Sequence, residues 1–276
     1  MNERFAASFP AALSYYAALS PVAGFQGRCA MSIPADIDGK RVLDVCCRKG
    51  KGAFALADAV GTSGFVVGVD PDAGNVAAAC AAAPKNHWAG ASWERHLRFL
   101  PAIPENLSQA CIEDGSFDLV YINSVVNLAW SLPVALAEFA RVLTPGGRLW
   151  VAQGVFVEDG LDAQRERAAI GGSADGSGEG AALGDDTNAA SAGAALAHPD
   201  GRSSAMCRHL PMVGESDSID VFSQARSRVT FTRMCLDAGF ASVAFSSVSP
   251  ISNEDLREGI SPSGARFCLA DACATI

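Results

Sequence analysis

Two acidic side chains, Asp44 and Asp70, each stand at or near the end of a run of apolar residues. The first lies in Arg41-Val-Leu-Asp-Val-Cys-Cys-Arg-Lys-Gly-Lys-Gly52, the second closes Gly64-Phe-Val-Val-Gly-Val-Asp70. A carboxylate at the end of a buried strand sits where open α/β sheets bind ligands, and it can accept hydrogen bonds from ribose hydroxyls. Asp70 followed by Pro71 and Asp72 also reads as the start of a turn. The turn after the first run carries Gly50 and Gly52 and the basic residues Arg48, Lys49 and Lys51. Its amides suit an anionic group at a helix start. Metal chemistry has little to work with: the four histidines (87, 96, 198, 209) have no ligand spacing, and no CxxC pair repeats.

Positioning these acids requires a buried parallel sheet. Apolar or Cys neighbours flank Asp44 on both faces, the pattern of a strand covered by helices on each side. The chain then alternates. Strand 41–47 precedes helix 52–60, strand 64–70, helix 73–83 and a short strand 96–100. After Pro104 comes a helix or turn, then strand 117–123, helix 131–143 and strand 147–152. Such alternation predicts an α/β, Rossmann-like doubly wound, mostly parallel sheet with right-handed crossovers. Thr144-Pro-Gly-Gly147 is expected to stop the preceding helix, with Gly as its cap. Residues 225–238 carry helical spacing through Val229, Met234 and Leu236, ended by Gly239. Runs 241–249 and 265–272 predict a C-terminal antiparallel strand pair at one edge.

Composition bounds the rest. The 276 residues, half of them apolar, suffice for one sizeable core. We divide them into an N-terminal helical segment, 1–40, covering the site, and a domain over 41–276. Within the latter, 171–203 has two Leu and no aromatic residue, the composition of a disordered insertion. A net charge of −9 disfavours nucleic acid and anionic membrane as partners. No apolar run approaches the ~18 residues that span a bilayer. Six of the nine cysteines, Cys46, Cys47, Cys80, Cys111, Cys235 and Cys268, lie in apolar segments, where free Cys acts as a small hydrophobe, so a reducing, cytoplasmic setting is expected. Tyr15 and Tyr16 read as a packing pair, one of which can close the site, and Trp130 and Trp150 as core.

Taken in order, Val42-Leu-Asp-Val, Gly50-Lys-Gly52, Gly68-Val-Asp70, Gly115-Ser-Phe-Asp-Leu-Val120 and Ala140-Arg-Val-Leu-Thr-Pro-Gly-Gly147 resemble the class I S-adenosylmethionine-dependent methyltransferases. Among these the chain is similar to the arsenite methyltransferases, through Gly27-Arg-Cys-Ala-Met-Ser-Ile-Pro34 and Asn123-Ser-Val-Val-Asn-Leu128. The resemblance runs from about Phe25 to Phe156 and again, faintly, from about 221 to 273. It implies S-adenosylmethionine as cofactor. Asp44 and backbone carbonyls at Cys46 and Asn123 would receive its ammonium, while Arg48 or the turn amides at Gly50 would meet its carboxylate. Asp70, with Pro71 beside it, would hold the ribose; Ala102 and Ile103 would flank the adenine; Ser124 completes the loop beside Asn123.

The sequence departs from that family at two places. Cys46 and Arg48 replace the first two glycines of its Gly-x-Gly-x-Gly turn, adding side chains where backbone normally approaches the cofactor. The arsenic-binding cysteines align with Ala53, Val221 and about Ile260, none of them Cys. The reading is a methyltransferase acting on an unidentified small molecule. The alternative is a non-catalytic protein of the same fold that binds a ligand or a partner. A nucleotide-dependent oxidoreductase lacks its Gly-x-Gly-x-x-Gly fingerprint here.

Overall fold

The computed structural model describes residues 3–19, 31–86, 90–158, 221–222, 224–251 and 266–276. All of them belong to the compact unit formed by Met1–Asp162 and Ser216–Ile276, and the expected insertion at 171–203 lies outside them.

Period-two alternation builds the sheet. In β1 (Arg41–Val45), Leu43 and Val45 face one core layer, while Val42 faces the other. The same split recurs in β2 (Phe65–Asp70), β4 (Phe117–Asn123) and β5 (Leu143–Val157). Two layers of apolar side chains on opposite faces need helices on both, and the helices supply them. On one face lie α2 (Lys51–Val60) and α3 (Ala73–Asn86), through Leu56, Val60, Val76 and Ala79. On the other lie α4 (Leu132–Val142) and α5 (Arg228–Asp237), through Leu136, Phe139, Phe231 and Cys235. With β3 (Leu97–Pro101), β7 (Ser242–Pro250) and β8 (Phe267–Thr275), the strand order is β3-β2-β1-β4-β5-β8-β7. Strands β1 to β5 are parallel, and β8 and β7 are antiparallel. A two-residue β6 (Arg226–Ser227) pairs with β5. The mostly parallel sheet and its C-terminal antiparallel pair are as expected. The order reverses between β1 and β4, which places the ligand crevice of this fold outside their carboxyl ends.

Three local readings are corrected. Thr144-Pro-Gly-Gly147 does not cap α4. The helix passes straight into β5 at Leu143, whose backbone is extended. The Gly pair instead makes an irregular strand entry, with Gly146 at φ 76 and the β4–β5 register shifting between Phe117 and Leu119. On α5 the apolar face is Phe231 and Cys235, whereas Val229 and Leu236 are 67% and 47% exposed. Of the three residues in the expected spacing, Val229 and Leu236 lie on a face that the sheet does not cover, and only Met234 packs, partly buried, against the core. Cys111 is exposed and left-handed (φ 56), not buried.

The two sequence motifs around Gly115 and Arg141 hold each other. The Arg141 guanidinium donates to Glu138 (2.8 and 2.9 Å), to Asp114 (2.6 Å) and to the Ile112 carbonyl (3.2 Å), while the Gly115 amide donates to the Arg141 carbonyl (3.0 Å). Glu138 in turn accepts from the Leu107 amide (3.0 Å). The pairing fixes the loop entering β4 against the end of α4.

Within the N-terminal segment, Glu3–Ala18 form the helix α1, and residues 31–40 run as turns and irregular backbone into β1. Ala12 is fully buried and clusters with Ile103, next to Tyr16, Trp130 and Val134.

Candidate cofactor site

Asp44 lies one residue from the end of β1, flanked in register by Gly68 of β2 and Tyr121 of β4. By alternation Asp44, Tyr121 and Asn123 share one face. Asp44 is 3% exposed, and its Oδ2 has no hydrogen-bond partner. A Cβ at Gly52 would stand 3.1 Å from that oxygen, so glycine there keeps the approach open. Burial, with the nearby Asp70 charge, pushes the Asp44 carboxyl up to about 8. Asn123 Oδ1, Asn127 Oδ1 and the Tyr121 hydroxyl are likewise buried without partners. Unsatisfied buried acceptors are rare in folded proteins, and each asks for a donor. Three of them around the ends of β1 and β4 suit a cationic head.

The turn after β1 retains a glycine backbone without the glycines. Cys46 and Arg48 adopt φ 59 and φ 50, in the left-handed region. That geometry costs a non-glycine residue about 1–2 kcal/mol. Ser124 (φ 55), just past β4, and Gln153 (φ 49), level with it in β5, share it. Strain of this sort concentrates where a site over-determines the backbone. The expected intrusion of side chains is small. Arg48 is exposed, and Cys46 is half-buried against the core layer that contains Val45. Burial, followed by Asp70, Glu105 and Asp44, pushes the Cys46 thiol up, so it stays neutral rather than a thiolate. Gly50 (φ 85) precedes α2, whose first turn has no side-chain cap, leaving amide donors at the loop. A Cβ on Gly50 would meet Phe99 at 2.9 Å.

Asp70 is 4% exposed and already engaged. Its Oδ2 accepts from the Arg48 amide (2.8 Å), and its Oδ1 from the Asp72 amide and Asn75 Nδ2 (both 3.0 Å). A carboxylate offers about four acceptor positions, so one remains for a ligand hydroxyl. Asp70 therefore anchors the turn as well as facing the crevice. Pro71 is half-buried beside it. Ala102 donates its amide to the Asp70 carbonyl (3.1 Å), and the Ile103 carbonyl accepts from the Asn106 amide (3.1 Å), so that carbonyl already has a donor. Ser124 is buried and donates its amide to Ala152 (2.8 Å), carrying the β4 loop over to β5.

One residue at this edge escaped the sequence reading. Glu105 is 2% exposed and accepts from the Tyr16 hydroxyl (3.0 Å to both oxygens) and the Ser131 amide (2.9 Å). Burial pushes its carboxyl up to about 7 against the pull of those donors. Only its place four residues past β3 hinted at it. Asn127, another omission, sat inside the hexapeptide already noted; its Nδ2 donates to the Val155 carbonyl (2.6 Å). Tyr15 and Tyr16 do pack edge to face (centroids 5.3 Å apart, 79°), and their hydroxyls bond outward as well. A separate cleft of about 350 Å³ lies at the amino edge, lined by Asp36, Lys40, Asp118, Thr144 and Arg148. Its acids are neutralised by Arg148 and Arg41.

Residues 43–151 match the family model of a methyltransferase domain. The arsenite methyltransferase of Aquipseudomonas alcaligenes is 36% identical over 122 residues, 44% of this chain and 35% of that protein. The demethylmenaquinone methyltransferase of Lactococcus lactis is 32% identical over 114 residues, 41% of this chain and 42% of that protein. The chain thus spans about a third of the arsenite methyltransferases it matches. Among solved structures, an arsenic(III) S-adenosylmethionine methyltransferase from Chlamydomonas reinhardtii superposes with a TM-score of 0.60 at 25% identity, over 96% of this chain and 72% of that one. Over residues 43–151 the chain thus carries the pattern of a methyltransferase domain, and it is similar there to arsenite methyltransferases. The residues at the crevice fit S-adenosylmethionine: orphaned acceptors for an ammonium, free helix amides for a carboxylate, and one open position on Asp70.

Proposed function

We propose that this protein is an S-adenosylmethionine-dependent methyltransferase acting on a small molecule. The observation that carries the reading is the buried, unpartnered Asp44 Oδ2 facing the β1–β4 switch point beside the uncapped start of α2. In this reading Asp44 and the Asn123 and Asn127 side-chain oxygens receive the cofactor's ammonium, the α2 amides and exposed Arg48 receive its carboxylate, and Asp70 takes one ribose hydroxyl. Ala102 and Ile103 border the adenine. The bound cofactor supplies an electrophilic methyl group. The protein's part is to align the acceptor and exclude water, which needs neither a metal nor a covalent intermediate.

Arsenite is disfavoured as the acceptor. Ala53 and Val221, which align with two of the family's arsenic-binding cysteines, are fully buried in the core, and the third position, about 260, lies outside the described residues. Among the described residues no group of three His, Cys, Asp or Glu could hold a metal ion. Soft trivalent arsenic needs several thiolates, and the Cys46 thiol is held neutral. A small organic acceptor fits better. The acidic surface argues against nucleic acid, and among the described residues no helix is long and apolar enough to cross a membrane.

The non-catalytic alternative rested on the altered turn. The retained left-handed backbone and the outward Arg48 side chain favour a working site over a dead one. Isothermal titration with S-adenosylmethionine and S-adenosylhomocysteine tests the proposal. Micromolar binding of either is expected; absence of heat up to millimolar ligand would overturn it.

A further inference from the structure

Glu105 has no part in methyl transfer as derived above, yet it is among the few buried charged groups among the described residues. Its donors come from two distant segments. The Ser131 amide reaches it from the start of α4, and the Tyr16 hydroxyl reaches it from α1, 89 residues away in sequence. The Tyr16 hydroxyl both donates and accepts, since it also receives the Trp130 amide (3.1 Å). Beside it, Tyr15 donates to the Leu128 carbonyl (3.1 Å). Below these bonds, Ala12 and Tyr16 pack on Ile103, which is 1% exposed. The surface expected to border the adenine is therefore under α1. The position of α1 decides whether Ile103 is reachable.

We propose that Tyr16 is a positioning residue for the cofactor: by gripping Glu105 it holds α1 across the Ile103 end of the crevice, releasing to admit the cofactor and re-engaging to retain it. This rests on the cofactor site proposed above. Lifting α1 removes one charge-assisted donor from a buried carboxylate and lets water reach it. The groups facing Glu105 are Tyr15 and Tyr16 of α1 and Cys46 of the β1 turn. All three are held neutral by burial, so none offsets its charge. Burial holds the Glu105 carboxyl near 7 in the closed arrangement, above its ordinary value of 4.5. The Tyr16 donor pulls that carboxyl down, but burial is the larger effect, so closure takes up a proton and weakens as pH rises towards 7.

The experiment is amide hydrogen exchange across α1, with the dissociation rate of S-adenosylhomocysteine, for the full chain and for Tyr16→Phe and Glu105→Gln. Tyr16→Phe is expected to raise exchange in α1 about tenfold and to speed dissociation about tenfold, with β1 and β4 protection unchanged. Glu105→Gln keeps an acceptor for Tyr16 and Ser131. It should hold α1 nearly as the parent does but lose the parent's pH-dependence of α1 protection. Unchanged α1 exchange and ligand dissociation in Tyr16→Phe overturns the proposal, as does an unaltered pH profile in Glu105→Gln. If no form binds the nucleoside, the cofactor reading fails, while the exchange arm still decides whether Tyr16 holds α1.

Discussion

Asp44 shows how one carboxylate can report on an entire site. Its pKa of about 8 lies above the ordinary 3.8, so the folded protein binds a proton that the unfolded chain has released between those values. Stability of the free protein should therefore fall as pH rises from about 4 towards 8 and then level off. Glu105 adds to the same trend between 4.5 and 7. Melting curves across this range should slope downward, and Asp44→Asn should flatten the part above pH 7. A cation that meets Asp44 would drive its proton off. At pH 7, titration of S-adenosylmethionine in buffers of different ionisation enthalpy should show release of up to about one proton, absent in Asp44→Asn. Asp70 has a double task, and Asp70→Ala should expose both sides of it. Cofactor affinity should fall more than tenfold, from loss of a charged acceptor worth roughly 1.5–3 kcal/mol. The melting temperature should fall too, because the Arg48 amide loses its partner. Unchanged affinity would mean that the ribose lies elsewhere.

The elements that carry these residues depend on a few tight contacts. Gly50 joins β1 to α2 at φ 85, with Phe99, Phe54 and Ala79 within 3.1 Å of where a Cβ would stand. Gly50→Ala combines a strained backbone with overpacking and should cost about 2–4 kcal/mol by denaturant titration. The clamp between the β4 entry and the end of α4 is more exposed and worth less. Arg141→Met should cost about 1–2 kcal/mol, with the loss confined to unfolding rather than to cofactor affinity. These two sites also explain why the motifs were readable. Gly50 combines a left-handed angle with no room for a Cβ, and Arg141 serves three acceptors at once, so residue type and spacing follow from these contacts.

At the scale of the molecule, the sheet sets the site by its strand order. The chain builds β1, β2 and β3 outward in one direction, then returns to place β4 and β5 on the other side, which leaves the crevice between β1 and β4. A ligand held there touches both halves and should stabilise the domain as a whole. S-adenosylhomocysteine at a hundred times its dissociation constant adds about 2.7 kcal/mol, or roughly 5–10 °C in melting temperature for a domain of this size. Thermal-shift titration reads this directly, and a nicotinamide dinucleotide should give no such rise.

By itself the sequence determined the alternation of strands and helices, the two acids at strand ends and the glycine that turns the first strand into a helix. Each follows from short-range periodicity or from a single backbone angle, which neighbouring residues reveal. Only the tertiary structure decided that Cys46 and Arg48 keep the glycine backbone, because left-handed φ at such residues is imposed by contacts along the β1 turn, including the Asp70 carboxylate. It also decided which face of α5 is covered, that Thr144–Gly147 enters a strand instead of capping a helix, and that Glu105 meets Tyr16. Those outcomes depend on partners tens of residues away, and local spacing carries no record of what packs against it.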